Sequence, residues 1–176
     1  MSALATGGLP AIRITGVAVA PLIGETPPGG WSNEIKAEDS IHALIAVHTD
    51  AGISGYGSAF TSGPLTEAAV ALLEPLIAGE DAREPARVSE KLHQNTFWMG
   101  RGGTLTHAIS GIDIALWDIL GKATGLSVSR LVGGRHRDRV MPYCSLLMDE
   151  PAAMLNSPAL ISLSRLRAVA RSSSRW

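Results

Sequence analysis

The chain has 176 residues, 45% of them hydrophobic, with 15 Lys+Arg against 16 Asp+Glu and a formal net charge of −1; that allows one domain with its own core, or a domain plus a fragment, and argues against a nucleic-acid footprint. A single cysteine, Cys144, excludes an intramolecular disulfide and a cysteine-rich zinc site and fits a reducing compartment. No run approaches the roughly 20 apolar residues of a membrane span, and the opening MSALATGGLP lacks the charged-then-apolar order of a signal peptide, so the expectation is a cytoplasmic protein without membrane or nucleic-acid partners.

Residues 1–11 read as a flexible N-terminus. Residues 12–20 read as a strand: Ile12 and Ile14 alternate with polar neighbours, Gly16 breaks the phase, and Val17 and Val19 resume it. A bulge at Gly16 accounts for the slip. A loop over residues 22–38, LIGETPPGGWSNEIKAE, follows; loops of this length without structure of their own tend to be functional or disordered. Residues 41–49 form a second strand, with Ile41, Ala43, Ile45 and Val47 on one face and His42, Leu44, Ala46 and His48 on the other. Asp50-Ala51-Gly52 is a turn, and residues 53–59, containing Gly55 and Gly57, form a third strand that completes an antiparallel meander.

Helices follow. Pro64 suits the first turn of one, with Pro75 ending or kinking it, and Pro85 opens a second. A third starts near Thr104 and carries Leu105, Ile109, Ile112, Leu116 and Ile119 at helical spacing. Asp118 and Lys122 stand in the favourable i,i+4 order. Residues 140–147, VMPYCSLL, read as a final strand. Strands first and helices after indicate an α+β fold, a three-stranded antiparallel meander followed by a helical bundle.

Residues 108–134 read AISGIDIALWDILGKATGLSVSRLVGG. Ala108, Ser110, Gly111, Ile112, Asp113, Ala115, Leu116, Asp118, Ile119, Gly121, Lys122, Ser127, Val128, Leu131, Val132 and Gly133 all fit one pattern. The segment closely resembles the first signature of the mandelate racemase/muconate lactonizing enzyme family, within the enolase superfamily. The resemblance implies an enolase-like N-terminal capping domain over residues 12–134. Residues 135–154 then become a linker and the first strand of a (β/α)₈ barrel, a fold that usually needs about 250 residues. Residues 155–176 do not continue that pattern: they hold four Arg, six Ser and no Asp or Glu. They are expected to be disordered, either as out-of-frame translation beyond about Met154, which truncates the barrel, or as a natural basic tail.

The resemblance also implies a chemistry, abstraction of a proton next to a carboxylate. The developing enediolate is stabilised by Mg²⁺, with Lys or His as base. In the family the metal ligands and bases stand on later barrel strands. The expectation is therefore no catalytic residue, metal ligand or bound cofactor on this chain, with Mg²⁺ belonging to the complete enzyme. The chain is expected to be inactive alone and to meet a small carboxylate substrate only together with a barrel.

Substrate-contact candidates implied by the family's loops are Trp31 as a lid residue, Phe60 and Thr61 after the third strand, Arg101 in Gly100-Arg101-Gly102-Gly103, and Ser145 at the end of the first barrel strand. Three of them, and the neighbouring Ser62, have a plainer reading. Trp31 packs on the sheet, Phe60 anchors the core, Ser62 caps a helix, and the glycine-rich stretch is a connector. His42 and His48 read as sheet-surface residues, too far apart to share one ion. Asp113 and Asp118 read as hydrogen-bonding residues that fix their helix against the barrel, and Arg135, His136, Arg137 and Arg139 as a solvated linker. Helix faces that normally pack on a barrel suggest a second class of function: self-association, or docking onto an intact homologue. A third reading is the product of a broken gene.

Overall fold

The computed structural model describes residues 10–23 and 42–141. The packing divides the chain into two units, residues 1–25 with 37–135, and residues 26–36 with 136–176. The first unit holds every helix and strand described below. The second contributes only residues 136–141, which are exposed and irregular. Val140 and Met141 thus stand outside any strand; the remainder of the expected barrel strand, the tail and residues 1–9 lie outside the described residues.

Period-two patterning builds the sheet. In β2 (His42–Thr49), Ala43, Ile45 and Val47 are fully buried while His42 and His48 face out. β1 (Ile14–Leu22) and β3 (Ser54–Ala59) pair with it antiparallel, in the order β1-β2-β3. Ile14 lies opposite Thr49 and Gly16 opposite His48. Thr15 is therefore the extra residue of a bulge, and Val17 and Val19 return to the inner face opposite Val47 and Ile45. The strand begins two residues later than its alternation suggested, because residues 12–14 have another partner. The Ile14 amide donates to the Glu80 carbonyl (3.0 Å) and the Ala82 amide to the Ile12 carbonyl (2.8 Å). The Arg13 amide donates to the Asp50 carboxylate (2.8 Å).

α1 (Gly63–Ile77) starts where Ser62 Oγ accepts from the Leu65 amide (3.4 Å), with Pro64 in the first turn. It runs two residues past Pro75 before ending. α2 (Pro85–Thr96) passes into a 3₁₀ turn, Phe97–Met99. α3 (Thr104–Thr124) buries Ile109, Ile112, Leu116 and Ile119 on one face and stops at Gly125, left-handed at φ 69°. A short α4 (Val128–Leu131) follows. Leu73, Ile77, Val88 and Leu92 from α1 and α2 complete the core between the helices and the inner sheet face.

The closest packing in the fold is between β3 and α3, and glycine makes it possible. A Cβ on Gly57 would collide with the Gly111 carbonyl, and one on Gly55 with the Ala115 carbonyl. A Cβ on Gly111 would meet Ile45 Cδ1 at 2.6 Å. Strand backbone thus lies directly on helix backbone, the close approach that glycine in a strand interior permits. Polar bonds rim this seam. Asp118 accepts from the Tyr56 amide (3.0 Å) and from Lys122 Nζ (2.6 Å), and Lys122 also donates to the Ser54 carbonyl (2.7 Å). The Lys122 ammonium sits 4.7 Å from the Tyr56 ring centre.

This corrects the reading of the two aspartates. Asp118 ties α3 to β3, and Asp113 bonds to Ser89 of α2 and to Trp117. Both work inside the unit rather than toward a barrel.

Candidate functional site

Three strand ends converge at one end of the sheet. Leu22 pairs with His42, Pro21 with Ala43, and Ala43 with Ala59. The segment after β1 therefore leaves, and the segment before β2 returns, beside the chain that runs from β3 into α1. At this end Phe60 is 55% exposed, and Leu22 and Ile23 also show apolar surface to solvent. The Phe60 ring meets the His42 ring edge-on, with centres 4.9 Å apart and planes at 63°. Thr61 Oγ1 lies 3.4 Å from Thr104 Oγ1, the first residue of α3.

The exposure of Phe60 overturns its reading as a core anchor. The reading of Ser62 as a helix cap holds. His42 is the contact that residue patterns alone did not reveal: the alternation of β2 places it on the outer face, but only the sheet register shows that it meets a ring 18 positions on.

Arg101 stands on the loop that leads into α3, three residues before Thr104. Gly100 and Gly103, at φ 111° and 70°, shape its loop. It lines an open groove of about 580 Å³ with Glu90, His93, Phe97, Leu105 and Thr106, to which Phe60 and Thr61 contribute nothing. Phe60 and Thr61 thus share one strand end, and Arg101 lines the groove three residues before the Thr104 that Thr61 meets. Trp31 and Ser145 lie outside the described residues.

The carboxyl groups with shifted affinities are not at the Phe60 end. Hydrogen bonding to the Arg83 guanidinium, at 2.7 Å, holds Asp81 down at about 2, and the pair closes the far end of β1. Hydrogen bonding to Lys91 lowers Glu80. Burial raises Asp113, against hydrogen bonds from Ser89 and Trp117. His48 bonds Ser54 Oγ at 2.9 Å, as a sheet-surface histidine would.

Among the described residues no three His, Cys, Asp or Glu side chains are grouped closely enough to hold a metal ion. These residues therefore do not fit the Mg²⁺ cradle that the resemblance places on a barrel. No helix among them is long and apolar enough to cross a membrane.

The sequence model of the mandelate racemase/muconate lactonizing enzyme N-terminal domain matches residues 32–133. The chain belongs to this family. Its sheet-then-helices architecture is that of the enolase-like N-terminal domain. A D-galactonate dehydratase of Variovorax paradoxus (strain S110) is 42% identical over 114 residues, covering 62% of this chain and 29% of the relative. A D-xylonate dehydratase of Haloferax volcanii is 39% identical over 110 residues, 62% of this chain and 26% of the relative. A mandelate racemase/muconate lactonizing enzyme-like protein from Rubrobacter xylanophilus DSM 9941 superposes with a TM-score of 0.63 at 31% identity, over 76% of this chain and 31% of that one. The chain thus spans less than a third of the length of these relatives.

Proposed function

We propose that the chain supplies the capping, specificity-setting part of an acid-sugar dehydratase, cycloisomerase or racemase that removes a proton next to a carboxylate. The observation that carries this reading is the convergence of strand ends around Phe60 and Thr61. An exposed aromatic ring and a hydroxyl stand where two connecting segments emerge side by side. Two relatives, each aligned over 62% of this chain, are named as dehydratases of D-galactonate and D-xylonate.

In this reading the Phe60 ring covers a bound sugar acid and excludes water, held in place by His42. The Thr61 hydroxyl offers a donor and an acceptor to a substrate hydroxyl. Trp31 closes from the long loop, and Ser145 lines the floor. When bound to the complete enzyme, Mg²⁺ would supply charge that stabilises the enediolate; in the family its ligands and the base stand on barrel strands. The cap's part is to bind, orient and keep the site dry, which matters because electrostatic stabilisation of the enediolate is stronger in a water-free site.

The test is direct. The purified chain is incubated with Mg²⁺ and a panel of aldonates and aldarates in D₂O, and α-proton exchange and water loss are followed by NMR. The expected result is no exchange and no loss. Turnover that persists through purification, and disappears on Phe60→Ala, shows that this polypeptide builds its own catalytic centre and overturns the reading.

A further inference from the structure

The corner where α2, the 3₁₀ turn and α3 meet holds the groove of about 580 Å³, within the size range of ligand pockets. Its lining mixes an aromatic wall, Phe97, with a dense set of polar groups: Glu90, His93, Gln94, Arg101 and Thr106. These groups have bonding capacity to spare. Among the described residues the side chains of His93, Arg101 and Thr106 make no hydrogen bond, and Arg101 has no ion-pair partner. His93 reaches Asp113 only electrostatically. Gln94 donates to the Glu90 carboxylate (2.7 Å), which leaves the Gln94 carbonyl oxygen and the second Glu90 oxygen able to accept.

The chemistry of this set selects a ligand. The planar guanidinium of an arginine pairs with a carboxylate through two parallel hydrogen bonds. Glu90 in the same groove disfavours a ligand that is negative on every side, such as phosphate or sulfate, by like-charge repulsion. Hydroxyl groups suit the remainder, because each can donate to a Glu90 or Gln94 oxygen and accept from Thr106 or His93. Phe97 is 62% exposed and offers the apolar ring face against which a carbon chain packs. Trp98 is 69% exposed but does not line the groove, and its indole N–H is held by the Asn95 carbonyl (3.2 Å).

We propose that the groove binds a small carboxylate that carries several hydroxyl groups. Arg101 takes its carboxylate, Glu90, Gln94 and Thr106 take its hydroxyls, and Phe97 covers its carbon chain. The binding belongs to this chain alone and needs no barrel. It does not rest on the capping role, because neither Phe60 nor Thr61 lines the groove.

Titration of the ¹⁵N-labelled full chain, followed through its backbone amide shifts at constant ionic strength, tests it. The probes are D-gluconate, propionate, which keeps the carboxylate alone, and sorbitol, which keeps the hydroxyls alone. The expected result is a saturable shift of the His93, Gln94, Arg101 and Thr106 amides with D-gluconate, which binds more tightly than either fragment. Arg101→Gln weakens D-gluconate and propionate by about tenfold, the scale of a lost charged hydrogen bond, and leaves sorbitol unchanged. Thr106→Val weakens D-gluconate by about threefold, the scale of a neutral one, and leaves propionate unchanged. Arg101 is exposed and makes no bond among the described residues, so its replacement leaves the spectrum away from the loop as it was.

Four results overturn the proposal. One is no saturable shift with D-gluconate. Another is shifts confined to Phe60 and Thr61, which assign the sugar acid to the strand ends instead. A third is D-gluconate binding that Arg101→Gln does not change. The last is inorganic phosphate that binds the groove as tightly as D-gluconate, which makes it a plain anion site without hydroxyl recognition.

Discussion

The β3–α3 seam and the α2–α3 corner use the same helix in opposite ways. On the β3 side, α3 gives up side chains: Gly111 and Ala115 let the backbones of Gly55 and Gly57 lie against it, and Asp118 and Lys122 close the rim. At its start, next to Gly100 and Gly103, α3 borders a groove flanked by large side chains that cover nothing among the described residues. At the seam backbones meet directly, and at the corner large apolar side chains are exposed. Substitutions at the two places should separate accordingly, with a large effect on folding at one and a small effect at the other.

The largest effect is expected at the seam. Gly57→Ala places a methyl group against the Gly111 carbonyl, and neither backbone can yield without moving a whole element. Overpacking of this kind costs about 3 kcal/mol or more, enough to lower the urea midpoint markedly or to abolish the folded state. A midpoint within error of wild type would show that β3 and α3 are not in backbone contact.

An intermediate effect is expected at Asp81, which belongs to neither region and holds the start of β1 to the α1–α2 connection. Its side chain is 13% exposed, and pairing with Arg83 lowers its carboxyl to about 2 from 3.8. A depressed carboxyl adds stability that is fully present above the unfolded value and is lost as pH falls toward the folded one. The contribution is about 2 kcal/mol at neutral pH. Asp81→Asn should lower stability at pH 7 by roughly that amount and flatten its decline between about pH 4 and 2. Equal slopes in variant and wild type would remove the ion pair from the account.

The smallest effect on folding is expected at the corner. Trp98→Ala should move the unfolding free energy of the monomer by no more than about 0.5 kcal/mol. A loss comparable to that of Gly57→Ala would mean the indole is part of the core and not an exposed side chain.

Most of the fold was legible in residue patterns, and the reasons are local. The phase slip around Gly16 betrayed the bulge, the alternation through β2 set its two faces, and the 3.6-residue spacing in α3 set the buried stripe. What escaped depended on tertiary partners. Gly55 and Gly57 were visible as glycines in a strand, but their cause, Gly111 and Ala115 on a helix more than fifty positions away, was not. Asp113 and Asp118 were recognised as structural and then aimed the wrong way, because a signature motif does not say which surface its carboxylates reach. Residues 12 and 13 alternate like a strand, yet bond to residues 81 and 82 and to Asp50. At the candidate site, Phe60 and Thr61 were named only through the family's loop after the third strand, whereas His42 needed the sheet register to become the neighbour of Phe60.

The most direct test of the capping role joins residues 12–134 to the barrel of a D-galactonate dehydratase relative and measures kcat/KM for several acid sugars, with Phe60 and with Phe60→Ala. The account predicts that the hybrid dehydrates, that its ranking of sugars differs from the parent's, and that Phe60→Ala changes the ratio between two substrates by about tenfold or more, the scale of a lost apolar contact. A folded, active hybrid that keeps the parent's ratios and is indifferent to Phe60→Ala would contradict it.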